Sequence, residues 1–60
     1  MQINVLFTDV SESVVRGYVA DPQNLESFPY QGVIGTDDAR WKAYYDAIPE
    51  MMRDGLPVPD

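Results

Sequence analysis

Few side chains in this chain of 60 residues have types suited to chemistry. Ser11 and Ser13 are hydroxyl nucleophiles by type, but the chain has no His and no Cys, so neither a Ser–His nor a Cys–His pair can be assembled. A Ser–Lys arrangement would have to use Lys42, the one Lys, which falls on the solvated side of a predicted helix. Asp37 and Asp38 are adjacent carboxylates. Neighbours on a helix diverge by about 100°, and helix capping accounts for both. The stretch "DVSES" puts Asp9 and Glu12 in one loop without the ligand pattern of a calcium site. "GVIGT" has two glycines but lacks the phosphate-loop pattern and its following Lys. Arg16, Arg40 and Arg53 are scattered and make no phosphate patch. These residues predict a protein without catalytic, metal-binding or cofactor-binding residues and without a small-molecule substrate.

Size and charge bound the remaining functions. A chain this short buries only about 60% of the surface its unfolded form exposes. Scaffolds of this size usually need a disulfide, a metal or a partner. With no Cys and no His, a partner chain or self-association is the expected support. Ten acidic residues against four basic ones give a net charge of −6, which repels phosphates and anionic lipid, so neither nucleic acid nor membrane is an expected partner. The opening "MQINVLFTDV" has no basic segment ahead of its apolar run, and no stretch reaches the roughly 20 apolar residues of a membrane span. The expectation is a soluble chain starting at its own Met.

The elements that would position a site are β-rich over residues 1–35 and helical over 36–54, with an extended tail over 55–60. In "QINVLFT", Ile3, Val5 and Phe7 alternate with Gln2, Asn4, Leu6 and Thr8, a strand signal. "VVRGYVA" reads as a second strand, with Val15 and Val19 on one face and Arg16 and Tyr18 on the other. The polar "DVSES" between them suggests an antiparallel hairpin. Gly17 is read as a point where a helix packs closely on the sheet, or as a partner contact. Residues 21–32 form a Pro-containing loop with one possible helical turn over Pro22–Glu26 capped by Asp21. Phe28 and Tyr30 either anchor this loop or face a partner. Val33 and Ile34 between glycines are long enough for a short third strand.

Thr36 or Asp37 is the expected N-cap of a helix whose Trp41, Tyr44, Tyr45 and Ile48 recur at i, i+3, i+4 and i+7. Burying such rings is worth about 2–3 kcal/mol each before entropy. Trp41 and Tyr45 are therefore expected in the core, with Tyr44 at the margin. Lys42 can pair with Asp38 or Asp46 at four-residue spacing, each pair worth about 0.3 kcal/mol. Pro49 ends or kinks the helix, and "PEMMRDG" can restart it and stop at Gly55. Met51 and Met52 cannot both enter one core, so one is expected outside. The tail "LPVPD" is expected to be extended and to lie along a neighbour through Leu56 and Val58.

The C-terminal part, "GVIGTDDARWKAYYDAIPEMMRDGLPVPD", resembles small proteins encoded among the structural genes of tailed bacteriophages. The resemblance rests on Asp37, Asp38, Arg40, Trp41, Tyr44, Tyr45, Gly55, Leu56 and Pro57, and "DPQNLESFPYQG" is similar to their Pro-containing loop. It spans about the last two-thirds of the chain and brings no catalytic residues. It implies a small virion component of the tail or baseplate, assembled in the bacterial host cytoplasm, that docks onto larger structural subunits.

The reading is thus a single α+β domain: an antiparallel β-hairpin or three-stranded sheet, packed by one C-terminal amphipathic helix, with an extended Pro-containing tail. Its contact candidates are Phe28, Tyr30, Tyr44, Met52, Leu56, Pro57, Val58 and Pro59. The alternative is a small acidic inhibitor or regulator that binds a basic surface of a host protein.

Overall fold

The computed structural model describes residues 1–60. The fold is α+β. Three strands, β1 (Gln2–Phe7), β2 (Val15–Val19) and β3 (Gln31–Gly35), are followed by one helix, α1 (Ala39–Ala47), and a 3₁₀ turn at Glu50–Met52. The sheet order is β2–β1–β3 and both pairings are antiparallel, so β1 is central. Its alternation puts Ile3, Val5 and Phe7 into a core with Val15, Ile34 and Trp41. Trp41, Phe7 and Val5 are the largest fully buried side chains.

The second strand departs from simple alternation. Leu6 pairs with Gly17 but Phe7 pairs with Val15, so β2 carries one extra residue at Arg16. A bulge of this kind lets residues at odd spacing share a face. Val15 is buried and Tyr18 pairs with Val5 on the core side, its ring 5.8 Å from that of Trp41. The expectation that Tyr18 lies opposite Val15 is corrected: burying both against Trp41 outweighs unbroken pairing. Gly17 does not meet the helix. A Cβ there would lie 3.6 Å from Leu6 Cδ1, so the glycine gives room to a neighbouring strand's side chain on the sheet's second face.

The helix starts later than expected. Asp38 is the N-cap, its carboxylate accepting the Arg40 N–H at 2.8 Å. Thr36 is buried and withdrawn from capping: its N–H donates to the Met1 carbonyl and its hydroxyl to the Asp60 carboxylate. Asp38 pairs with Arg40, leaving Lys42 to Asp46 at 2.9 Å. After Ile48 the chain turns at Pro49, and Arg53 reaches back to donate to the Ile48 carbonyl, with its guanidinium 4.9 Å from the Tyr45 ring centre. That cation satisfies a helix-end carbonyl. Both Met51 and Met52 are exposed, so neither enters the core. In the loop, the turn is capped by Asn24, whose side chain accepts the Glu26 N–H, and not by Asp21.

The tail closes the core. Gly55 adopts φ +86, a left-handed conformation that suits Gly, and turns the chain so that Leu56 packs on the Trp41 cluster. The Trp41 indole N–H donates to the Pro57 carbonyl at 3.0 Å, and the Asp60 N–H donates to the Thr36 carbonyl at 3.1 Å. The tail is extended, as its alternating prolines require, but it docks on its own chain.

Trp41→Ala should cost about 3–5 kcal/mol, the range for losing a buried Trp. A domain of this length has about 3–9 kcal/mol in total at roughly 0.05–0.15 kcal/mol per residue. Urea titration followed by circular dichroism should therefore find that the variant has lost at least about a third of the parent chain's stability. Gly32→Ala should cost about 1–3 kcal/mol by overpacking, because its Cβ would lie 3.0 Å from the Phe7 ring. An unchanged urea midpoint would refute that packing.

Candidate docking surface

One sheet face carries the core. The other presents Gln2, Asn4 and Leu6 from β1, Gly17 and Val19 from β2, and Gln31, Val33 and Gly35 from β3. None of these eight residues is charged, in a chain with ten acidic and four basic side chains, and Arg16 at the bulge is the cation nearest their loop end, 5.9 Å from the Phe28 ring centre. The loop over residues 21–30 is tied to one end of it. The Gln31 side-chain amide donates to the Gln23 and Phe28 carbonyls and accepts the Gln23 N–H at 2.9 Å. Leu6, beside Gln31, is buried. Val33, at the middle of β3, is 59% exposed.

The eight predicted contact residues divide into two groups. Leu56, Pro57 and Pro59 are half-buried, and Leu56 and Pro57 complete the chain's own core. Phe28 is half-buried, with the Arg16 guanidinium 5.9 Å from its ring centre. Tyr44 is half-buried too, its ring 5.5 Å from that of Trp41, and its margin lines a shallow groove with Val14, Ala43 and Ala47. Tyr45, expected in the core, is instead half-buried against it, as Tyr44 is. Tyr30, Met52 and Val58 are exposed. Sequence reasoning passed over Val33, Leu25, Val10 and Val14, all exposed apolar residues. The signal for Val33 was present: if Ile34 faces the core, its neighbour faces away.

All four cations are engaged within the chain. Arg40 binds Asp38 and donates to the Glu12 carbonyl, and Lys42 binds Asp46. Arg53 holds the helix end, and Arg16 donates to the Phe7 carbonyl. Two of the ten acidic residues have a cationic partner, which leaves eight without one. Hydrogen bonds from the Arg40 guanidinium and then from its backbone N–H hold the Asp38 carboxyl below its ordinary 3.8. The Ser11 hydroxyl and N–H do the same for Asp9, in a loop where Glu12 takes φ 56. No three acidic side chains converge as a metal site requires. No helix is long and apolar enough to cross a membrane.

No protein-family model, no curated protein and no solved structure matches this chain.

Because the folded-state pKa of Asp38 is depressed, its contribution to stability is complete above the unfolded value and is lost as pH falls through the folded one. The melting temperature should therefore drop as pH falls below 3.8. Asp38→Asn should flatten that drop, and Asp38→Ala should cost about 1 kcal/mol at neutral pH as a lost cap. An acid limb of the melting curve identical in Asp38→Asn and the parent chain would exclude this role.

Proposed function

We propose that this chain is a non-enzymatic docking protein, a structural or accessory component of a tailed phage that attaches to larger structural subunits. The observation that carries the reading is the row of eight uncharged residues on the second face of the sheet, with Val33 exposed on its edge strand β3. Charged side chains crowd the rest of a small acidic chain, and a face kept free of them sheds its hydration at low cost when another protein covers it. The resemblance of residues Gly32–Asp60 to small phage structural proteins supports the virion as the place of docking. Tyr30, Met52 and Val58 are exposed and remain contact candidates, whereas Leu56 and Pro57 serve the chain's own core.

A second reading, an acidic regulator bound to a basic surface of a host protein, draws on the eight carboxylates without a cationic partner. The two differ in salt response, since binding through surface charge weakens as salt screens it and apolar docking does not.

Mass spectrometry of purified particles, beside soluble host lysate, tests the proposal. The chain should be found in particles and stay on them through a wash at high salt. Recovery only from lysate, bound to one host protein and released by salt, would favour the regulator.

A further inference from the structure

We infer that the outer edge of β3 accepts an added strand from an extended segment of a partner protein, one with β-branched or apolar residues at its centre and basic residues on its flanks. This inference rests on the docking reading and specifies its partner. The register determines which backbone groups are free. Phe7 N–H donates to the Tyr30 carbonyl and Thr36 N–H to the Met1 carbonyl, so the even-numbered residues of β3 point toward β1. Gln31, Val33 and Gly35 point outward. Among the backbone bonds outside the ladders, only the Gly35 carbonyl of this row finds a partner, the Asp38 N–H at 3.0 Å. The N–H groups of Gln31, Val33 and Gly35 and the carbonyls of Gln31 and Val33 are left as a row for another strand.

Natural sheets guard such rows with charged side chains, prolines or a covering element. β2 by contrast carries a charged residue, Arg16, and α1 packs against that strand. β3 carries no charge and no proline, and its central side chain, Val33, is exposed. An added strand would extend both the sheet and its uncharged second face.

Charge decides between a partner and a second copy. Asp37 follows one end of β3, and the loop bound to Gln31 at the other end carries Asp21 and Glu26. None of the three has a cationic partner. A second copy of net charge −6 would bring carboxylates against carboxylates at both ends. A segment with basic flanks would place cations there, and the neutral centre would meet Val33.

The test uses the full chain and two short synthetic peptides of alternating threonine and valine, one flanked by lysines and one by glutamates. With the lysine-flanked peptide, the amide signals of Gln31, Val33 and Gly35 should shift and their hydrogen exchange should slow. The glutamate-flanked peptide should bind at least tenfold more weakly at low salt. Val33→Pro removes an outward N–H without taking a bond from the β1–β3 ladder, and should weaken binding at least tenfold with the native shift pattern kept. If Val33→Pro does not fold, Val33→Lys keeps the backbone and should weaken the lysine-flanked peptide selectively. Equal binding of the two peptides, shifts confined to other residues, or binding unchanged in the folded Val33 variant would overturn the inference. So would a dimer of the chain alone that Val33→Pro dissolves, since the occupant would then be a second copy. Particle association together with any of these failures leaves the docking reading standing and removes only the β3 edge from it.

Discussion

The structure depends on the burial of one indole. Trp41 is fully enclosed, and it is the point where otherwise weak elements meet. A three-stranded sheet, a helix of nine residues and an extended tail each have little stability alone. The Trp41 ring meets Tyr18 from β2 and lies beside Tyr44 and Tyr45 from its own helix, while its N–H fastens the tail through the Pro57 carbonyl. The polar bond adds to the apolar contact, because a buried indole N–H without an acceptor would cost about 1–3 kcal/mol. Trp41 thus sets the tail's path as well as the core's volume.

A second junction sits one residue earlier. Arg40 is bound by the helix cap Asp38, donates to the Glu12 carbonyl at 2.6 Å, and lies with its guanidinium 5.3 Å from the Phe7 ring centre. It joins the helix start, the β1–β2 loop and the core strand. Asp38, Arg40, Trp41, Tyr44, Tyr45, Gly55, Leu56 and Pro57 therefore have structural work within this chain. The proposed docking surface lies largely on residues outside that set.

How much could be read in advance follows the range of each interaction. Alternation in β1 and the paired Val33 and Ile34 are local patterns, and they foretold the strands, though not which of Val33 and Ile34 faces inward. The bulge at Arg16 was not legible, because only packing onto Trp41, far along the chain, favours Val15 and Tyr18 on one side. Three consecutive residues, Thr36, Asp37 and Asp38, are all capable caps. The choice fell to Asp38 because Thr36 is held by Met1 and Asp60 from the two ends of the chain. The prolines of the tail announced extended backbone but could not say what it covers. For the docking surface, the uncharged row Gln2, Asn4, Leu6 was visible in the first strand. The free edge was not, since it exists only once β1 is known to lie between the other two strands.

That central place of β1, together with the tail's return to Thr36 and Trp41, has a consequence for biosynthesis. The first strand made must wait for partners from both sides, and its enclosure needs residues 56–60, the last of the chain described. A nascent chain that has released its hairpin but not its tail exposes the indole and an unfinished sheet. Closure is then a late event dominated by long-range pairing, the kind that proceeds slowly and leaves apolar surface open to other molecules meanwhile. Such a polypeptide acquires its native form only once residues 56–60 have joined the fold, so the step that encloses its core is also the last to withdraw apolar surface from other molecules.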